Sequence, residues 1–94
     1  MSIVTSSKFT EKQGQYLAFI HAYSQLNGRA PAEADMETFF RVTPPSVHRM
    51  VVELERRGFI RRVPRQARSI ELCVSTDTLP KLKAQPIKTT GSRY

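Results

Sequence analysis

Tryptophan is absent from the 94 residues, glycine occurs four times, and cysteine occurs once, as Cys73. One thiol excludes an internal disulfide and a cysteine-based metal cluster, and it suits a reducing compartment. Its place in an apolar run predicts a buried structural thiol. No segment approaches the ~18 consecutive apolar residues of a membrane helix. Residues Met1 to Thr10 lack the hydrophobic stretch of a signal peptide, so the expected location is the cytoplasm, with no membrane partner. Also missing are a glycine-rich phosphate loop, a His/Cys/Asp metal cluster and a nucleophile elbow. His21 and His48 fall on separate helical segments with no clear carboxylate partner. The expectation is therefore no enzyme, no catalytic residue, no metal, no cofactor and no small-molecule ligand. A chain of this length forms one domain with a modest core, and any site should lie on its surface.

Acidic residues are scarce too. Eight Asp and Glu face fifteen Lys and Arg, for a net charge of +7. The excess is local. Residues 1–40 carry three basic and four acidic groups, and residues 69–94 carry four basic and two acidic. Residues 41–68 carry eight basic groups, all Arg, and two Glu. A dense arginine segment points to a polyanionic partner, because the planar guanidinium binds phosphate and guanine in bidentate fashion.

Hydropathy divides the chain into a leader (1–8), a folded domain (9–75) and a basic tail (76–94) expected to be mostly flexible, with Leu79 and Leu82 able to dock back. Thr10 and Gln13 have the spacing of a capping box, and Phe9 can staple onto the first turn. Tyr16, Leu17, Phe19, Ile20, Tyr23 and Leu26 then follow a helical period over 11–26. Asn27-Gly28 stops that helix. Gly14 inside it costs ~1 kcal/mol relative to alanine. After Pro31, a short helix runs from about Ala32 to Phe40, with Glu33, Asp35 and Glu37 near its favourable N-terminal end. Arg41-Val42-Thr43 is a tight turn. Thr43 and Pro44 then form an N-cap and first position, opening a helix over 44–57 that Gly58 closes. Val47, Met50, Val51 and Leu54 make its apolar face. Beyond it the period changes to two. Residues 59–63 and 69–74 read as strands joined by the loop 64–68.

The expected fold is mostly α with a small β-hairpin: a three-helix bundle plus wing, the winged helix-turn-helix. A short helix, a tight turn and a capped helix form a helix-turn-helix, whose second helix fits the major groove. Exposed groups near the start of that helix are the candidates for base readout: Thr43, Pro45, Ser46, His48 and above all Arg49. Arg41, Arg56, Arg65, Gln66 and Arg68 are the candidates for backbone and wing contacts. The expected partner is double-stranded DNA. A single small domain contacts few bases, so a homodimer on a two-part site is the expected form. The competing reading is a winged-helix protein-interaction module, or a subunit of a nucleoprotein assembly, whose basic face meets an acidic protein. RNA or single-stranded DNA binding would favour exposed aromatics on a sheet, whereas Phe39 and Phe40 occupy core-like positions.

Five segments, taken together, resemble the DNA-binding domain of the LexA repressor family. They are Phe9-Thr10-Glu11-Lys12-Gln13, Asn27-Gly28-Arg29-Ala30-Pro31, Thr43-Pro44, Leu54-Glu55-Arg56-Arg57-Gly58-Phe59-Ile60 and Ala67-Arg68-Ser69-Ile70. The resemblance covers residues 9–74 and implies a winged helix-turn-helix with repressor-type function. It maps base reading onto Thr43, Pro45, Ser46, His48 and Arg49, and wing contacts onto 64–68. That family usually has acidic and amide groups where Pro45, His48 and Arg49 stand, so a different target sequence is implied. Its second domain, a Ser-Lys self-cleaving peptidase, has no counterpart in this sequence, and self-cleavage is not expected.

Overall fold

The computed structural model describes residues 9–85. Three helices, α1 (Glu11–Asn27), α2 (Glu33–Phe40) and α3 (Pro44–Arg56), precede a hairpin of β1 (Ile60–Arg61) and β2 (Glu71–Leu72). The strands pair antiparallel, Ile60 opposite Leu72 and Arg61 opposite Glu71. This is the winged helix-turn-helix that the hydropathy pattern predicts. The expected leader 1–8, and residues 86–94 of the expected tail, lie outside the described residues.

Local chemistry sets the helix ends. Thr10 Oγ1 accepts the Gln13 N–H at 3.0 Å while Gln13 Oε1 accepts the Thr10 N–H at 2.9 Å, a complete capping box. Asp35 Oδ2 accepts the Ala32 N–H at 2.8 Å and so caps α2 from within. At the end of α3 the Phe59 N–H reaches back to the Leu54 carbonyl and the Gly58 N–H to Glu55, with Gly58 left-handed at φ 79°. That closure turns the chain into β1. The same closure ends α2, where the Val42 N–H bonds the Glu37 carbonyl. There the left-handed position is filled by an arginine, Arg41, at φ 57°.

Helix α1 is the central element, buried on every side from Gln13 to Ile20. Leu17, Ile20, Met36, Val47, Val51, Leu54 and Ile60 form the innermost core. Phe39 and Phe40 extend it as aromatic packing: Phe40 stacks on Tyr16 at 4.2 Å and Phe39 lies 4.8 Å from Phe19. Phe9 closes the bottom edge-on against Phe59. Leu26, expected on the apolar face, is instead 84% exposed because α1 projects past the core at that end.

Three further expectations are corrected. Cys73 is exposed, not buried. Ile70, Leu72 and Val74 take the inward positions of the strand, so the period of two turns Cys73 outward. The strands are shorter than 59–63 and 69–74. Pro64 has no N–H to donate, and Arg65 and Arg68 adopt left-handed backbone at φ 65° and 55°, which curls the connection into a loop. Residues 76–85, expected within a flexible tail, pack along α1 as a strap. A 3-10 turn at Thr76–Thr78 is capped by Ser75. The buried Gln15 side chain then donates to the Lys81 carbonyl at 2.9 Å and accepts the Lys83 N–H at 2.8 Å, gripping the extended strap by its backbone. Leu79 and Leu82 pack on the core as the strap passes.

Candidate nucleic-acid interface

The outward face of α3 follows from its periodicity. Val47, Val51 and Leu54 are fully buried, which at 3.6 residues per turn leaves Pro45, Arg49, Val52 and Arg56 along the opposite line. All four are exposed. The helix starts with Thr43 as N-cap. Its Oγ1 accepts the Ser46 N–H at 3.4 Å and donates to Ser46 Oγ at 3.0 Å. The two hydroxyls thus sit side by side at the leading end. Val52 is a hydrophobic residue 41% exposed amid the charged positions.

One flank of α3 is tied to α2 and the wing by an ionic chain. His48, for which the sequence offers no clear carboxylate partner, has one in the fold: its Nδ1 lies 3.2 Å from Glu33 Oε2, and Arg62 donates to Glu33 at 3.4 Å and to Glu55 at 3.0 Å. Residues of α2, α3 and the hairpin root therefore share one network, which sets the angle between the helix and the wing. Arg62 is not among the contact residues that charge and motif suggest. Its partners lie seven and twenty-nine positions away, too far for any local pattern to reveal.

The eight arginines of residues 41–68 divide into two groups. Arg56 pairs with Glu53, Arg61 with Glu71, Arg62 with Glu33 and Glu55, and Arg68 with Asp35. Hydrogen bonding to Arg56 holds the Glu53 carboxyl below its ordinary range, and the bond to Glu71 raises Arg61. The remaining four, Arg41, Arg49, Arg57 and Arg65, have no carboxylate partner among the described residues. All four are exposed. Arg57 rests over the Phe59 ring at 5.6 Å. Arg41 occupies the turn between the two helices, Arg49 the centre of the outward line, Arg57 the end of α3 and Arg65 the tip of the wing. Gln66 is exposed beside Arg65, its N–H bonded to the Val63 carbonyl.

Arg68 differs from the placement expected for a wing contact. Its guanidinium points inward, donating to Tyr23 Oη at 3.2 Å, the Ala30 carbonyl at 3.2 Å and Asp35 Oδ2 at 3.1 Å. The Tyr23 bond is the leading reason its pKa is raised. Among the described residues no three His, Cys, Asp or Glu side chains gather as a metal set, and no helix is long and apolar enough to cross a membrane.

A helix-turn-helix followed by a basic wing, with unpaired arginines spread over turn, helix and wing tip, defines the winged-helix class of nucleic-acid-binding domains. Residues 6–69 match the LexA DNA binding domain, and the chain belongs to that family. It is 45% identical over 65 residues to the LexA repressor of Thermosipho melanesiensis, covering 69% of this chain and 33% of that protein. It is 38% identical over 72 residues to the LexA repressor of Thermosipho africanus, covering 77% and 36%. With the LexA repressor of a Ruegeria species it shares 42% over 71 residues, covering 74% and 30%. The chain thus spans about a third of the length of these relatives.

Proposed function

We infer that this chain is a sequence-specific double-stranded DNA-binding protein acting as a transcriptional repressor. Helix α3 enters the major groove, with Arg49, Ser46, Thr43, Pro45 and His48 facing base edges. Arg41, Arg56 and the wing residues Arg65 and Gln66 face the backbone. The observation that carries this reading is the division of the arginines. The partly buried Arg62 and Arg68 tie distant elements together, Arg56 and Arg61 stay exposed in pairs with Glu53 and Glu71, and those without partners lie on the turn, the outward line of α3, its end and the wing tip. Guanidinium groups left unpaired in this way have their full charge available for phosphate or guanine. Two copies on a two-part site supply the specificity that one domain lacks.

Selection of bound duplexes from a random pool, followed by titration against salt, tests it. The expected result is a two-fold symmetric motif and a steep fall in affinity between about 50 and 200 mM salt, from counterion release. Arg49→Ala should reduce discrimination between sequences by about 1–3 kcal/mol. Arg65→Ala should weaken all duplexes alike. Duplex binding that is absent, or indifferent to salt, overturns the reading.

A further inference from the structure

The first turn of α1 borders the outward face of α3. Thr10, the N-cap of α1, with Lys12 of α1 and Ser46, Arg49 and Glu53 of α3, lines one open groove. Ser46, Arg49 and Glu53 follow one another at helical spacing along one flank of α3. The opposite flank carries His48, beside Glu33, and Glu55, bonded to Arg62. Helix α3 therefore has two different shoulders, the wing side and the Lys12 side.

The acidic groups on the Lys12 side are already neutralised. Glu53 is held by Arg56 at 2.7 Å, and Glu11, next to Lys12, is held by Lys83 at 2.8 Å. Lys12 is exposed and has no ion-pair or hydrogen-bond partner among the described residues. The groove thus presents two free cations, Lys12 and Arg49, beside the hydroxyls of Thr10 and Ser46.

The geometry points to Lys12 as a phosphate anchor on the DNA strand opposite the one the wing meets. This rests on the duplex-binding reading above and deepens it. A helix about 10–12 Å across fills a major groove about 12 Å wide. Side chains on elements flanking the helix then meet the phosphates that form the two groove walls. Arg65 and the wing occupy one wall and Lys12 the other. Helix α3 is clamped from both shoulders, and the Lys12 contact fixes how far it rotates about its own axis.

The test uses the full chain and two short duplexes, one bearing the selected motif and one scrambled, titrated across about 50–200 mM salt. Lys12→Gln should weaken both duplexes by about tenfold near 100 mM salt, the effect of one released counterion, and lower the salt slope by about one. Lys12→Arg should restore both. Lys81→Gln, an exposed lysine on the strap, should change neither. If Lys12→Gln binds and titrates like the parent, or if Lys81→Gln loses as much, the anchor is wrong while duplex binding stands. A parent chain that binds neither duplex removes both readings together.

Discussion

The Arg68 guanidinium donates to the Asp35 carboxylate at 3.1 Å, joining the root of the wing, where its loop returns toward β2, to the first turn of α2. The same Asp35 oxygen accepts the Ala32 N–H, and Arg68 also lies over the Tyr23 ring at 5.9 Å. The wing root is thereby latched to α1, to the α1–α2 connector and to α2 at once. A residue whose charge suggests a DNA contact is here turned inward, at the end of the loop that carries Arg65 and Gln66.

Arg68→Met should lower the melting temperature and weaken binding to every duplex, yet leave the salt slope unchanged, because no phosphate contact is lost. Asp35→Ala should cost about 1 kcal/mol through the cap alone, with further loss from the freed arginine. Thermal melts and salt titrations check both. A salt slope reduced by about one in Arg68→Met would falsify the latch and return the residue to the DNA surface.

Arg41 pays a conformational penalty in its left-handed backbone, at φ 57°. Glycine relieves that strain but adds freedom to the unfolded chain, so Arg41→Gly should gain up to about 1 kcal/mol. Duplex affinity should fall several-fold in the same variant. Urea unfolding beside a binding titration measures the two opposing effects. A variant stabilised with binding intact would separate Arg41 from the interface.

Gly14 lies where a Cβ would meet the Pro80 ring at 3.0 Å and the Phe9 ring at 3.1 Å. In an open helix, Gly→Ala stabilises by about 1 kcal/mol. Here the added methyl should push the strap and Phe9 apart, and overpacking of about 1–3 kcal/mol outweighs the helix gain. The expected outcome for Gly14→Ala is a net loss of about 1 kcal/mol in chemical denaturation. A net gain would show that the strap yields freely.

Glu11 is held below its ordinary range by its hydrogen bond and charge contact with Lys83, whose own pKa is raised by the same pair. A carboxylate whose folded pKa is lowered contributes above its unfolded pKa and loses that contribution as pH falls through the folded value. Acidification below the glutamate range should therefore loosen the strap. Faster exchange of the Lys83 N–H, with the core amides of α1 still protected, is the expected signature. The pair is exposed, so the global melting temperature should change little from this source. Exchange at Lys83 that stays constant through the acid range counts against the pair.

Several elements were legible because their causes are short-range. Thr10 and Gln13, or Thr43 and Pro44, act over three residues or fewer, and the helix stops at Gly28 and Gly58 need only a left-handed residue. The apolar face Val47–Val51–Leu54 showed which side of α3 is buried, and by subtraction which side is free. The interface was legible only in outline. Arg49 and Arg65 are exposed and without a carboxylate partner among the described residues. Charge by itself could not separate Arg68, which turns inward, from Arg65, which does not. The exposed Cys73 and Leu26 show the same limit from the apolar side.

Periodicity, caps and the concentration of arginine in residues 41–68 sufficed to define three helices, a wing and a polyanion-binding character, because each depends on neighbours within a turn or two. Folding decided the rest. The Arg68–Asp35 latch spans 33 positions and the Gln15 grip on the strap 66 and 68. Such pairings form only once a shared core brings distant segments within hydrogen-bond reach, and no local pattern encodes which guanidinium will find a carboxylate and which will be left unpaired.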